Sequence, residues 1–273
     1  MPCVIANVSR GGPGLGSIAP AQSDYFQATR GGGHGDYYSI VLAPKSVQEC
    51  ADLTYLAFDL ADQYRMPVIV LVDGMIGQMM EAVALPPEKS PQELPKRFWT
   101  VGHMAGRPSR HITSIHLVPE ELEAVTRERF NRYEIIKDKE LRYEESGCSD
   151  ADIILTAYGT SARVCQGAKK LAEKEGIKVG LFRPITLWPF PYEVLGNITI
   201  NRKPILAVEM SLGQLVEDVR LSVLGRAQVF LLGHSGGVIP TEEEVFGEIK
   251  RILEGGALIS DPAKAFEQAN WRG

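Results

Sequence analysis

The chain has 273 residues, of which 44% are hydrophobic, and it carries a formal net charge of -5 at pH 7. Its basic residues alternate with acidic ones and form no stripe, which argues against a nucleic-acid partner. No apolar run approaches the roughly 20 residues of a membrane span, and no signal-peptide pattern opens the chain, so we expect a cytoplasmic protein without membrane contacts.

Three short apolar runs in the first part of the sequence fit buried parallel strands. They are CVIANV at 3–8, YSIVLA at 38–43 and VIVLVD at 68–73. Between the last two runs, SVQE at 46–49 is a capping box, in which the serine accepts from a backbone N–H and the glutamate reaches back. We predict a helix from there to about Tyr64, and therefore a β-α-β unit with a right-handed crossover.

The next part of the sequence contains a connector and a charged helix. Residues 85–98 carry four prolines among charged residues, which predicts irregular structure. Residues 119–145 predict one long helix with a narrow apolar stripe. A second alternating series follows, with strands at 152–157, 177–182, 204–210 and 227–232 and helices that begin near Ser161, Leu212 and Thr241.

These elements predict an α/β fold made of two parallel-sheet domains. We place the first domain at residues 1–146, including the connector and the long helix, and the second at 147–273. The four cysteines stand far apart, and the histidines at 103, 111 and 116 have no neighbouring acid or cysteine in a known ligand pattern. The sequence therefore predicts no metal site.

The loop SRGGPGLGS at 9–17 contains four glycines and follows the first predicted strand. It is not a Walker A loop, because its last glycine is not followed by lysine and a hydroxyl residue. GLGSIA at 14–19, with Asp36 further on, fits a dinucleotide-binding fingerprint. That fit is poor, because four residues separate the motif from the strand and Pro20 falls inside the required helix.

Arg10 indicates a different kind of ligand for this loop. It stands at the carboxyl end of a predicted parallel strand, where open α/β sheets bind ligands, and a guanidinium can hold a carboxylate through two hydrogen bonds. A small anionic substrate explains the R-G-G sequence. A tight turn behind an exposed arginine explains it as well.

Four stretches of the sequence occur together in a known family: NVSRGGPGLGS, RGGGHGDYYSIVLAPKSVQE, MPVIVLVDGMIGQM and GIKVGLFRPITLWPFP. In this order they resemble the alpha subunit of 2-oxoacid:ferredoxin oxidoreductases of the 2-oxoisovalerate and 2-oxoglutarate type, over about residues 2–250. These enzymes use thiamine diphosphate to decarboxylate a 2-oxoacid onto coenzyme A and pass electrons to ferredoxin. The resemblance implies a truncated thiamine diphosphate pyrimidine-binding-like domain, followed by a transketolase C-terminal-like domain.

The resemblance also implies particular site residues. In the family, the arginine of the R-G-G-P loop helps to bind the substrate carboxylate; this is Arg10 here, and Gly11 and Gly12 would admit the ligand. His34 and Asp36, in GGGHGDYY, would approach the cofactor or coenzyme A, although a turn whose side chains cap backbone groups explains them equally well. No catalytic residue and no metal ligand is expected in this chain.

Partner subunits are a further implication of the resemblance. Thiamine diphosphate would be shared with a beta subunit that holds magnesium, and gamma and delta subunits or their fused equivalents would carry iron–sulfur clusters. The family's Y-P-I-T-P-S stretch and the glutamate that protonates the aminopyrimidine do not occur in this sequence. We therefore expect a fragment or a late gene start, no activity from the chain alone, and an uncovered sheet edge near CVIANV.

Two alternative functions remain open at this point: a non-catalytic binding or assembly protein of the same fold, and a dinucleotide-binding protein. Within the oxidoreductase interpretation, Leu15, Ile18 and Ala19 are apolar. A 2-oxoglutarate enzyme would need a donor for the second carboxylate of its substrate, since burying that charge against aliphatic groups is costly. The sequence therefore favours 2-oxoisovalerate.

Overall fold

The computed structural model describes residues 1–88, 101–104 and 106–255. Its strands are β1 (Cys3–Ser9), β2 (Ile40–Leu42), β3 (Pro67–Asp73), β4 (Gly102–Met104), β5 (Arg107–Arg110), β6 (Tyr143–Ser146), β7 (Ile153–Thr156), β8 (Val179–Pro184), β9 (Thr186–Trp188), β10 (Ile205–Glu209) and β11 (Val229–Gly233). Its helices are α1 (Tyr25–Thr29), α2 (Val47–Tyr64), α3 (Gly74–Gln78), α4 (Pro119–Lys139), α5 (Gly159–Lys174), α6 (Tyr192–Ile198), α7 (Leu215–Val223) and α8 (Glu242–Leu253). None of these helices is long and apolar enough to span a membrane.

The first sheet has the strand order β1-β3-β2-β9. β1, β3 and β2 are parallel, and β9 runs antiparallel to β2. α2 connects β2 to β3, so the predicted β-α-β unit is confirmed. A separate antiparallel pair, β4 and β5, lies outside both large sheets.

The start of α2 follows the predicted cap only in part. The Ser46 hydroxyl accepts from the backbone N–H of Glu49 at 3.2 Å, as the capping box requires. The Glu49 carboxylate does not return to Ser46; it accepts from the backbone N–H of Lys45 at 2.9 Å and pairs with Arg183. The glutamate half of the predicted capping box is therefore absent, because the Glu49 carboxylate is engaged by Lys45 and by Arg183.

β1 differs from its prediction as a buried strand. Among the described strands it pairs only with β3, so it lies at the edge of the first sheet. The side chains of Ile5 and Val8 are 45% and 55% exposed. The expectation of an uncovered edge near CVIANV is thus confirmed for the described residues, and one row of backbone groups on β1 is left without a strand partner.

The second sheet has the order β11-β10-β7-β8-β6, with only β6 antiparallel. Its four parallel strands are the four predicted from apolar runs. α5 begins at Gly159, slightly before the predicted start, and α7 begins at Leu215, slightly after it. The predicted capping box of α8 is confirmed between Thr241 and Glu244.

The predicted helix over residues 119–145 is wrong at its C-terminal end. α4 ends at Lys139, and Tyr143–Ser146 form β6 beside β8. On β8, Arg183 is only 1% exposed and pairs with Glu144 at 3.0 Å and Glu49 at 2.8 Å. A buried guanidinium needs such partners, and Glu144 reaches it only when its segment joins the sheet as a strand.

The two sheets share strands across the predicted domain boundary. β6 precedes residue 147 but belongs to the second sheet, whereas β9 follows it but belongs to the first. On β9, the Trp188 ring stacks on Tyr38 with a centroid separation of 4.9 Å. The division into 1–146 and 147–273 stays a prediction, and most of the predicted connector, from residue 89 on, lies outside the described residues.

Apolar packing joins both sheets in one cluster. Ile154 and Phe182, on one face of the second sheet, pack in the same cluster as Val41 and Val70 of the first sheet. On the second sheet, the residues next to Ile154 and Phe182 along β7 and β8 face the other way and pack with α5 and α8 in a second cluster.

Candidate functional site

The glycine-rich segment after β1 forms a closed loop, which we call the Arg10 loop (residues 10–20). Arg10 and Pro20 form an isolated antiparallel bridge at its base. Inside the loop, the Gly11 N–H donates to the Ala19 carbonyl and the Ser17 N–H donates to the Gly11 carbonyl, both at 2.8 Å. These bonds fix the loop at the carboxyl end of a parallel strand, the usual ligand edge of such a sheet.

The Arg10 guanidinium is held by its own loop through one side only. Nη1 donates to the carbonyl oxygens of Leu15 at 2.6 Å, Ser17 at 3.1 Å and Gly11 at 3.4 Å. Nη2 makes a single long contact of 3.5 Å to the Gly14 carbonyl. Among the described residues Nε has no hydrogen-bond partner, so the Nε and Nη2 edge remains available for a carboxylate.

Gly11 and Gly12 have different surroundings. A Cβ at Gly11 would lie 2.5 Å from the Ser17 hydroxyl and 2.9 Å from the carbonyl carbon of Gly236. At Gly12 a Cβ would meet nothing within 4 Å. Gly11 is therefore required by packing within the protein, whereas only Gly12 faces open space through which a ligand can approach.

This contrast predicts opposite outcomes for two similar substitutions. We expect Gly11→Ala to lower the free energy of unfolding by about 1–3 kcal/mol, because the new methyl group overpacks the loop. Gly12→Ala should leave stability within about 0.5 kcal/mol of wild type. Urea denaturation of the purified chain measures both values, and equal losses would show that the packing difference at these two glycines has no energetic consequence.

A second glycine pair, Gly236 and Gly237, packs against the Arg10 loop from the far end of the chain. The Ser17 hydroxyl donates to the Gly236 carbonyl at 3.0 Å. A Cβ at Gly237 would lie 2.2 Å from that of Ala19. Sequence reasoning missed this contact, although the pair in HSGG follows a parallel strand just as R-G-G follows β1.

Buried polar residues surround the base of the Arg10 loop, and the sequence analysis did not identify them. Asp73, at the end of β3, accepts from the backbone N–H and the hydroxyl of Thr160 at 2.7 and 2.6 Å, and from the Ile76 N–H at 3.2 Å. Gln22 lies beside Asp73 with only 1% of its surface exposed. In the sequence, their position near strand ends is the one signal that indicates a role, because the residues that they contact are distant along the chain.

His34 and Asp36 lie in a different loop, which connects α1 to β2 and which we call the His34 loop (residues 30–39). His34 has a left-handed backbone with φ 57°, and both residues are exposed. This loop leads into the amino end of β2, whereas Arg10 follows the carboxyl end of the parallel strand β1. No described hydrogen bond or ion pair joins either side chain to the Arg10 loop, so their roles stay predictions.

The base of the His34 loop is held by Asp218 of α7, which is completely buried. Its carboxylate accepts from the Tyr25 hydroxyl at 2.6 Å, from Arg30 Nη2 at 2.7 Å and from the Tyr192 hydroxyl. Burial raises the pKa of Tyr25 and of Tyr192, and the neighbouring Asp218 raises both further. Both phenols are therefore neutral donors to one buried anion.

Two protein-family models match this chain. One is described as "Pyruvate flavodoxin/ferredoxin oxidoreductase, thiamine diP-bdg" and matches residues 1–144. The other, "Pyruvate:ferredoxin oxidoreductase core domain II", matches residues 151–245. Together they cover most of the residues that form the two sheets.

Curated relatives are similar over most of the chain. The ketoisovalerate oxidoreductase subunit VorB of Methanothermobacter marburgensis is 44% identical over 252 residues, which are 92% of this chain and 71% of the relative. The 2-oxoglutarate synthase subunit KorA of the same organism is 34% identical, in an alignment that covers 91% of this chain and 73% of the relative.

A solved structure has a similar fold. The 2-oxoglutarate:ferredoxin oxidoreductase from Magnetococcus marinus, with 2-oxoglutarate, coenzyme A and succinyl-CoA bound, superposes with a TM-score of 0.75 at 26% identity. The similarity covers 92% of this chain and 49% of that chain. The present chain thus spans about half the length of the chain it resembles.

Proposed function

Because this chain belongs to the family of 2-oxoacid:ferredoxin oxidoreductases, as an alpha subunit, we propose that its enzyme converts a branched 2-oxoacid such as 2-oxoisovalerate to an acyl-CoA and passes the electrons to ferredoxin. The ketoisovalerate relatives share more identity with the chain than the 2-oxoglutarate relatives do. This difference, together with the apolar residues of the Arg10 loop, supports the branched substrate.

The available edge of Arg10 is the observation that carries the substrate-binding role. Three carbonyl oxygens hold Nη1 and so order the side chain before any ligand binds, which lowers the entropic cost of binding. The Nε and Nη2 donors match the two oxygens of a carboxylate. We propose that Arg10 binds the 1-carboxylate of the 2-oxoacid and that Gly12 lets the substrate approach the backbone.

The apolar part of the proposed pocket needs a second protein surface. Leu15 and Ile18 are 94% and 88% exposed, so the described residues do not enclose them. Two large apolar side chains at the tip of one loop favour contact with another protein. We propose that a beta subunit covers them, and that the preference for an apolar substrate arises between the two subunits.

The cofactor is the next part of the proposal. Thiamine diphosphate supplies carbanion chemistry when it is bound. Among the described residues, no three His, Cys, Asp or Glu side chains lie together as metal ligands, and Asp73 is already engaged by four donors. The described residues do not fit the magnesium diphosphate end of the cofactor, so we derive no step through it.

We assign the remaining parts of the enzyme to partner subunits, as proposals. A beta subunit holds magnesium and the diphosphate, and gamma and delta subunits or their fused equivalents carry iron–sulfur clusters. Coenzyme A is the acyl acceptor. The isolated chain is expected to reduce no ferredoxin with any 2-oxoacid, and turnover by the purified chain alone would contradict this division of roles.

Steady-state kinetics of the full-length enzyme, assembled with its partner subunits and called here the reconstituted complex, test the substrate. Ferredoxin reduction is measured with 2-oxoisovalerate and with 2-oxoglutarate at saturating coenzyme A. We expect kcat/KM to be at least about tenfold higher for 2-oxoisovalerate, because an apolar pocket rejects a second carboxylate. A preference for 2-oxoglutarate would contradict the proposed substrate, and a stable complex inactive with every 2-oxoacid would favour a non-catalytic assembly role.

A further inference from the structure

The side chain of Gln22 uses its whole hydrogen-bonding capacity inside the protein. Nε2 donates to the Tyr158 carbonyl at 2.9 Å and to Asp73 Oδ2 at 3.3 Å. Oε1 accepts from the Ser161 hydroxyl and from the Met210 N–H, both at 3.0 Å. An amide has two donor hydrogens and two acceptor lone pairs, so no capacity remains for a ligand.

The backbone of Gln22 is held by the same neighbours. Its N–H donates to the Met210 carbonyl at 2.9 Å, and its carbonyl accepts from the Tyr158 hydroxyl at 3.1 Å. Tyr158 follows β7 closely and Met210 directly follows β10, whereas Asp73 ends β3. Gln22 therefore connects the carboxyl ends of strands from both sheets.

Gln22 also ends the return path of the Arg10 loop. The preceding residue, Ala21, donates its N–H to the Ser9 carbonyl at 3.3 Å, and Pro20 forms the bridge to Arg10. Between these residues and the loop tip lies Ser17, whose carbonyl holds Arg10 Nη1. A shift of Gln22 would therefore move the carbonyl oxygens that orient the guanidinium.

We infer that Gln22 is a positioning residue for substrate binding, which fixes the Arg10 loop to the second sheet and so sets where Arg10 meets the substrate carboxylate. The inference rests on the proposed role of Arg10. Gln22 touches no substrate, because its polar atoms are all engaged and it is buried. Its effect on the reaction passes through the Arg10 loop.

Hydrogen exchange tests the structural part of the inference without any substrate or partner subunit. In the full chain, Gln22→Leu should accelerate the exchange of the hydrogen-bonded loop amides of Gly11, Ser17 and Ala19 about tenfold. Ser161→Ala, which removes one of the four side-chain bonds of Gln22, should accelerate the same exchange about threefold. Tyr64→Phe is the control, because it removes the buried bond to Glu140 away from this loop. Unchanged exchange in both Gln22→Leu and Ser161→Ala overturns the inference.

Kinetics of the reconstituted complex test the functional part. We expect Gln22→Leu to raise KM for the 2-oxoacid about tenfold, while kcat changes less than about twofold and KM for coenzyme A stays unchanged. In an enzyme that already carries Arg10→Ala, Gln22→Leu should not raise KM for the 2-oxoacid any further. If Gln22→Leu does not assemble, Ser161→Ala should raise the same KM about threefold. Tyr64→Phe should leave it unchanged.

The two failures are distinguishable. An Arg10→Ala variant with normal kinetics removes the proposed role of Arg10, and with it this inference. A raised KM in Arg10→Ala beside a normal KM in Gln22→Leu and Ser161→Ala removes only the positioning role of Gln22.

Discussion

Arg10→Ala in the reconstituted complex should lower kcat/KM for the 2-oxoacid by roughly thirty- to several-thousand-fold, which corresponds to about 2–5 kcal/mol for the loss of a desolvated charge partner. The substrate carboxylate would lose the two guanidinium donors, and the loop carbonyl oxygens that now accept from Nη1 would lose that donor. The measurement is ferredoxin reduction at varied 2-oxoacid concentration.

Two controls separate substrate binding from loop order. Arg10→Lys keeps the positive charge but cannot form the fork, so its loss should be smaller than that of Arg10→Ala and still clear for every 2-oxoacid. Free guanidinium added to Arg10→Ala should restore part of the activity if the missing group acts on the substrate. Unchanged kinetics in Arg10→Ala would remove the carboxylate role altogether.

Asp218→Ala should lower the free energy of unfolding by about 3–5 kcal/mol, the largest stability loss that we expect from one substitution in this chain. The change leaves the Tyr25 and Tyr192 hydroxyls without their acceptor and Arg30 without its buried counter-ion. Breaking such a group is costly because the Tyr25 hydroxyl stays fully buried without an acceptor. Urea denaturation of the purified chain measures the loss.

An exposed ion pair provides the matched control for Asp218. Glu175 and Lys250 are 3.4 Å apart, with half-exposed side chains. Glu175→Ala should cost less than about 1 kcal/mol, because solvent screens the pair. A loss of that small size in Asp218→Ala would contradict the view that Asp218 fixes the start of the His34 loop.

Local sequence chemistry predicted those parts of the fold that depend on neighbours along the chain. α2 ends at Tyr64 as expected, and the Thr241 capping box opens α8. β6 could not be predicted in this way, because its charged residues continue the pattern of α4. Its strand conformation depends on pairing with β8 and on the buried Arg183, which is 39 residues from Glu144.

The site residues, too, could be predicted from the sequence only where their role depends on neighbours along the chain. Arg10 could be recognised because it directly follows an apolar strand and precedes glycines. The need for Gly11 could not be understood from sequence, because the atoms that exclude a side chain there include the backbone of Gly236. Gln22 was invisible for the same reason: Ser161 and Met210 reach it from 139 and 188 residues away.

Each sheet contains a strand from the other half of the sequence, since β6 belongs to the second sheet and β9 to the first. This arrangement affects the folding of the chain during synthesis and the way in which the chain can be cut into fragments. During synthesis, β2 can pair with β9 only after Trp188 has been made, and β6 can pair only after β8 has been made. Neither sheet can be completed on the ribosome while only the first 146 residues have emerged. A chain cut at that point would give two fragments, in which β2 lacks β9 and β8 lacks β6. Each fragment would expose an unpaired strand edge, so stable expression should require both fragments together.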